Sequence, residues 1–240
     1  MTLQQLLSPL RKAIDDYHMI RPNDRIAVGL SGGKDSTALL YGLNALRRFY
    51  PVPFEIEAIT VDLGLGMDFS PLADICRELK IPHTVIKTQI SEIIFEHRKE
   101  KSPCSLCAKM RKGALNQTAK EHGCNKIAYA HHKDDLVETM MLSLLFEGQF
   151  YCFPPVTPLE DSGLTVIRPL MYIREADIIG FKNKTGFPVI KNECPADGNT
   201  RREYVKTLIR SIGRDFPGTR ERMFHAIVNG SISDWPVKSE

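Results

Sequence analysis

The chain has 240 residues, 42% hydrophobic and 25% charged, with a net charge of +3. That is enough for one large globular domain, or one domain with an appendage, and the charge balance is too mild to mark a dedicated nucleic-acid binder. No apolar run approaches the roughly 20 residues of a membrane span, and Met1–Leu10 lacks a secretory signal, so no membrane association and a cytoplasmic location are expected.

In chain order, Leu3–Tyr17 has the periodicity of a lead-in helix, and Pro22-Asn23-Asp24 a turn. Arg25–Leu30 reads as a short buried strand, followed by the loop Ser31-Gly32-Gly33. A helix over Asp35–Phe49 comes next, with Leu39, Leu43 and Leu46 on one stripe. Glu55–Asp62 is a second strand. Ser70–Lys80 is a helix, with Ser70 as its N-cap and Pro71 in its first turn. Strands His83–Lys87 and Lys126–Ala130 flank a helix over Cys107–His122, and Asp134–Leu145 is a further helix. Beyond Gly148 the spacing changes. Phe153–Asp161 is proline-rich, Leu164–Ile167 is one more strand, and Arg174–Thr185, Glu203–Ile212 and Thr219–Val228 are helical.

Strands alternating with helices predict an α/β, Rossmann-like fold: a mostly parallel sheet with helices on both faces and a small helical C-terminal extension. The expected organisation is an α/β domain over residues 1–150, an extension over 151–230 packed on it, and a frayed tail over 231–240.

Ser31-Gly32-Gly33-Lys34-Asp35-Ser36 stands where a strand hands over to a helix. Free backbone N–H groups and the positive end of the helix dipole favour an anion there. Two glycines allow close approach, while Ser31 and Ser36 add hydroxyls and Lys34 a charge. The spacing matches neither the Walker loop nor the dinucleotide fingerprint. The hexapeptide resembles instead the PP-loop of N-type ATP pyrophosphatases, which cleave ATP between its α and β phosphates. That resemblance implies an adenine-nucleotide alpha hydrolase-like fold and ATP contacts at Ser31, Gly32, Gly33, Lys34, Asp35 and Ser36. It also implies backbone contacts to adenine at Val61 and Asp62, where the second strand ends.

At the end of the fourth strand, Ala130-His131-His132-Lys133-Asp134-Asp135, followed by Glu138-Thr139, resembles the HHxxDD segment of the tRNA-modifying branch. It implies nucleotide contacts at Ala130, His131 and Asp135. If the helix begins early, His131 and Asp135 share a face one turn apart. The carboxylates offer oxygen ligands for Mg²⁺; alternatively, Asp134 caps the helix and Glu138 is a solvated face residue. Lys34, Asp35 and Asp135 are the candidate catalytic residues.

Of the six cysteines, Cys76, Cys124 and Cys152 read as small buried hydrophobes. Cys104 and Cys107 form a C-x-x-C at a helix start, which on spacing alone fits half a zinc site, a redox pair or part of an iron–sulfur cluster. The context is more specific. CSLCAKMRKGALNQTAKEHGCNKIAYAHHKDDLVETMM, AIDDYHMIRPNDRIAVGLSGGKDS and VIRPLMYIREADI with FPVIKNEC resemble the tRNA 2-thiocytidine synthetase family over about residues 10–225. The resemblance implies a [4Fe–4S] cluster on Cys104, Cys107 and Cys194 that delivers sulfur. It also implies tRNA as substrate, ATP and Mg²⁺, a sulfur donor (free sulfide or a cysteine desulfurase) and a homodimer. The segment Asn192-Glu193-Cys194-Pro195 departs from the family by lacking a second C-x-x-C.

The expected reaction is adenylation of a pyrimidine C2 oxygen, that of cytidine in the anticodon loop, and its replacement by sulfur. Basic residues at Arg98, Lys99, Lys101, Lys109, Arg111 and Lys112, and at Arg201, Arg202, Lys206, Arg210, Arg214, Arg220 and Arg222, would grip phosphates. The rival expectations are the same chemistry on another base, a desulfuration, persulfide chemistry without a cluster, lysidine-type nitrogen insertion, and a nucleotide-binding iron–sulfur or zinc sensor without catalysis.

Overall fold

The computed structural model describes residues 1–98, 103–190 and 201–230. Helix α1 (Leu3–Asp16) starts from a capping box between Thr2 and Gln5. Strand β1 (Asp24–Gly29) leads into α2 (Lys34–Leu46), and β2 (Phe54–Asp62) into α3 (Ser70–Leu79). Strand β3 (His83–Lys87) is followed by α4 (Ile90–Glu92) and a π-helical turn, Ile93–Arg98. Next come α5 (Pro103–Glu121), β4 (Lys126–Ala128) and α6 (Lys133–Leu142), the last ending in a π-helical turn, Ser143–Glu147. The chain continues through β5 (Val156–Leu159), β6 (Leu164–Ile167), α7 (Glu175–Thr185), α8 (Arg201–Asp215) and α9 (Thr219–Asn229).

The six strands form one sheet in the order β3-β2-β1-β4-β6-β5. All pairs are parallel except β5 with β6, which is antiparallel. Residues after 150 therefore supply two of the six strands. The alternation along β1 explains the layers. Ile26 and Val28 belong to the larger core with Leu6, Leu10 and Ile14 of α1 and Leu39 and Leu43 of α2. Ala27 faces the other way, toward Leu115 and Ala119 of α5. Both faces of the sheet are thus covered, as the α/β pattern predicts.

The expected element positions need adjusting. α2 ends at Leu46 rather than Phe49, which is exposed, and β4 ends at Ala128 rather than Ala130. α5 begins at Pro103, four residues earlier than expected, so both thiols of the C-x-x-C lie on the helix. α3 is capped at Phe69 rather than Ser70; Asp68 accepts hydrogen bonds from the Ser70 N–H and hydroxyl, which draws Ser70 into the first turn. The proline-rich segment contains β5, an edge strand on which Pro158 needs no ladder donor. The helical turns over 90–98 have no cap or clean periodicity to reveal them. The tail over 231–240 lies outside the described residues.

Candidate active site at the carboxyl ends of the strands

Strand order reverses direction between β1 and β4, and in open parallel sheets this is where ligands bind. A cavity of about 560 Å³ lies there. Its walls come from the ends of β1, β2, β4 and β6, the first turn of α2, and one face of α5.

The loop after β1 is drawn tight by its own hydroxyls. Ser36 Oγ donates to the Gly33 carbonyl at 3.1 Å and lies 3.1 Å from Ser31 Oγ, while the Ser31 N–H points to Ser36 Oγ at 3.2 Å. Thr37 Oγ1 donates to the same Gly33 carbonyl. Gly32 has φ +84°, and a Cβ there would sit 2.9 Å from Ile190 Cβ. The Ile190 N–H donates to the Gly32 carbonyl at 2.9 Å, so the segment after α7 clasps the loop from outside. Ser31, Gly33, Asp35 and Ser36 line the cavity.

Lys34 instead turns toward Glu175 (2.9 Å) and Asp35 (3.1 Å). Burial alone would lower its pKa, but hydrogen bonds and charge from Glu175 and Asp35 outweigh it, and the net shift is upward. Lys34 therefore stays charged. Asp35 Oδ1 is buried and accepts no hydrogen bond among the described residues. Among the described residues, the nearest basic group to this oxygen, apart from Lys34 on the other one, is the His132 ring at 3.9 Å; a carboxylate oxygen without a hydrogen bond in a cavity suits a hard cation.

Val61 lines the cavity with Leu63, Met67 and Phe69, giving it an apolar end. Asp62 does not line it and accepts from the Gly64 N–H at 2.9 Å. Ala130, His131 and Asp135 all border the cavity.

α6 starts at Lys133, so His131 and Asp135 do not share a helical face; they meet because the chain enters the helix there. His132 is the N-cap, in a capping box with Asp135. Asp134 neither caps nor faces solvent. It is buried, accepts from the Glu175 N–H at 2.7 Å and pairs with Arg220. Glu138 is also buried rather than solvated, 3.1 Å from Arg202, and burial pushes its pKa up.

His131 packs on Phe153, with ring centroids 4.5 Å apart, and its Nδ1 has no partner among the described residues. Burial, with the charge of Arg168, pushes its pKa down to about 4.

Sequence reasoning missed Glu175, 141 positions from its partner Lys34, and Arg168, which no local pattern singles out. It also took Arg202 and Arg220 as surface grips, whereas both neutralise buried carboxylates. Lys109, Arg111, Lys112, Arg201, Arg210 and Arg214 are exposed; Arg111 and Lys112 also border the cavity.

On α5, the cavity-lining residues Ala108, Arg111 and Leu115 form one stripe at helical spacing. Cys104 and Cys107 continue that stripe toward the helix N-terminus. Cys104 is exposed, and Cys107 is half-buried. The remaining expected ligand, Cys194, lies outside the described residues. Two thiols one helical turn apart, on the helix that borders the cavity, suit a soft metal or a thiolate-held cluster.

A PP-loop domain model matches residues 2–212. The chain is 39% identical over 222 residues to the tRNA-cytidine(32) 2-sulfurtransferase of Geobacter metallireducens, covering 91% of this chain and 86% of that one. It is 40% identical over 227 residues to that of Legionella pneumophila, covering 93% and 80%. The chain belongs to this family. Among solved structures, the U34-tRNA thiolase NcsA from Methanococcus maripaludis, described with its [4Fe–4S] cluster, superposes with a TM-score of 0.75. It is 22% identical and covers 93% of this chain and 77% of that one, a likeness of fold. An NH3-dependent NAD synthetase from Campylobacter jejuni shares the fold more distantly, at TM-score 0.51 and 14% identity. Both solved structures share the fold of this chain.

Proposed function

We propose that the protein is an ATP-dependent tRNA sulfurtransferase that replaces the C2 oxygen of cytidine with sulfur, at position 32 as in the named relatives. The observation that carries this reading is a shared wall: the phosphate loop after β1 and Ala108, Arg111 and Leu115 of α5 border one cavity, and Cys104 and Cys107 stand on the same helix one turn before them.

The roles follow from the geometry. A pyrimidine carbonyl oxygen is a poor leaving group, and attack on the α-phosphorus of ATP turns it into an adenylate. Ser31–Ser36 hold the departing pyrophosphate through backbone N–H groups, hydroxyls and the α2 dipole, with Lys34 adding positive charge. The apolar end at Val61 and Met67 takes adenine, with a backbone contact from Val61. Mg²⁺ needs only one or two carboxylates besides phosphate and water. The unpartnered Asp35 Oδ1 and the neighbouring Asp135 fit that demand.

Cys104, Cys107 and Cys194 would hold a [4Fe–4S] cluster, which when bound supplies the sulfide that displaces AMP. The chain's own part is to set the two thiols one helical turn apart at the start of α5. Exposed Lys109, Arg201, Arg210 and Arg214 grip tRNA phosphates. Sulfur reaches the site as free sulfide or from a cysteine desulfurase, and the protein works in the cytoplasm as a homodimer.

Nucleoside mass spectrometry of tRNA from cells lacking the gene tests the substrate. The proposal expects 2-thiocytidine to disappear and to return with the wild-type gene but not with Cys104→Ala. An unchanged nucleoside profile contradicts it.

A further inference from the structure

The cavity has more polar capacity than an ATP molecule uses. Adenine is assigned to the end under β2 and pyrophosphate to the loop after β1. The ends of β4 and β6 lie on the far side of that loop. Neighbouring strands are about 4.8 Å apart, so the end of β6 is about 10 Å from the loop. Arg168, the residue after β6, lines the cavity there and is 8% exposed.

Among the described residues, no carboxylate pairs with Arg168. One terminal nitrogen is spent on structure, donating to the Pro154 carbonyl and to Thr157 Oγ1. The guanidinium lies over the Phe153 ring, 4.8 Å from its centroid. Among the described residues its second terminal nitrogen makes no hydrogen bond, and its Nε–H, closed off from solvent, has none either. The His131 ring rests against the same Phe153, 4.5 Å between centroids; among the described residues neither ring nitrogen has a hydrogen-bond partner, and Nδ1 is the one closed off. Both side chains line the cavity, so Nη2 of Arg168 and Nε2 of His131 are the nitrogens left for a ligand.

We infer that Arg168 and His131 form the subsite that reads the pairing edge of the acceptor base and selects cytosine over uracil. The inference rests on the sulfurtransferase reading. A guanidinium nitrogen can only donate, whereas a histidine ring nitrogen can accept. Cytosine presents an acceptor, N3, beside a donor, the N4 amino group. Uracil presents the reverse, an N3–H beside the O4 acceptor. A donor at Arg168 and an acceptor at His131 complement the first pattern and oppose the second at both positions. Phe153 packs against both residues. A base that enters here has left its stack, as a nucleotide in a single-stranded loop readily does.

The test uses the full chain loaded with α,β-methylene-ATP, and anticodon stem–loops bearing cytidine, uridine or 3-deazacytidine at the acceptor position. Replacing N3 by C–H removes the one acceptor that Arg168 is expected to engage. Wild-type protein should bind the cytidine stem–loop about tenfold or more tighter than the other two, the range of a well-placed base contact. Arg168→Met, which has no N–H donor, should bring the cytidine-to-3-deazacytidine ratio close to one. Arg168→Lys, still donor-only, should keep the preference over uridine. The analogue comparison needs no variant, so it stands even if Arg168→Met fails to fold. Equal wild-type affinity for all three stem–loops would overturn the inference, as would an Arg168→Met loss of one common factor for all of them. Thiolation of the cytidine stem–loop by wild type is measured in a parallel sample with hydrolysable ATP, sulfide and the anaerobically reconstituted protein. Its absence defeats the sulfurtransferase reading, whereas thiolation with base-blind binding defeats this subsite alone.

Discussion

At the scale of single residues, the site works by leaving selected groups uncompensated while satisfying their neighbours. Lys34 is held by two carboxylates and stays charged; Asp35 keeps one oxygen free for a cation. Lys34→Ala should lower AMP formation about a hundredfold or more, the usual cost of one electrostatic contact in a transition state. The partly exposed ion pairs lost with it are worth at most about 1 kcal/mol of stability. Rapid-quench measurement of AMP with a parallel thermal melt checks both, and a large melting shift with little change in rate would be the wrong pattern. His131 gives a pH dependence. Its pKa in the folded state, about 4, lies below the ordinary value of 6.5. Between those values the unfolded chain binds the extra proton, so this group's stability contribution is intact above that window and is lost as pH falls through it. His131→Phe should therefore show a shallower fall in melting temperature between pH 7 and 5 than wild type. Parallel curves would contradict the assignment.

At the scale of elements, function depends on how chain segments are clasped together. The Gly32 position combines a left-handed φ with the Ile190 side chain where a Cβ would go. Gly32→Ala should cost about 1–2 kcal/mol of backbone strain and should displace the clasp, weakening ATP binding more than it lowers the melting temperature. Titration with ATP beside a melt distinguishes this from general destabilisation. The elements were legible in the sequence where periodicity and punctuation agreed: SGGKDS at the β1–α2 junction, and β3 over His83–Lys87, both fall where expected. They were less legible where tertiary partners decide. Cys104 lies inside α5 because Leu115 and Ala119 anchor that helix on the sheet. The short helical turns after Thr88 begin without a side-chain cap. The charges were the hardest to read. Arg202, Lys206 and Arg220 look like any basic helix face, and only the fold places them against Glu138, Glu175 and Asp134.

At the scale of the molecule, those charges tie the last two helices to the catalytic edge of the sheet. A chain of contacts runs from Lys206 through Glu175 to Lys34, and Arg220 reaches Asp134 beside the His132 cap. Removing Arg220 leaves a nearly fully buried carboxylate with the Glu175 N–H as its hydrogen-bond donor and the His132 ring 3.8 Å away. Arg220→Ala should destabilise the protein by about 2 kcal/mol, while Arg214→Ala, at an exposed position, should not; denaturant unfolding compares them, and equal losses would refute the distinction.

The same architecture makes one chemical claim. If the cytidine oxygen attacks the α-phosphorus and sulfur then breaks the C2–O bond, that oxygen leaves on AMP. The direct measurement is mass spectrometry of AMP released while the anaerobically reconstituted protein thiolates a stem–loop carrying [2-¹⁸O]cytidine, with ATP and sulfide. One ¹⁸O in AMP for each 2-thiocytidine formed is the expected result. Unlabelled AMP accompanying 2-thiocytidine would contradict the account.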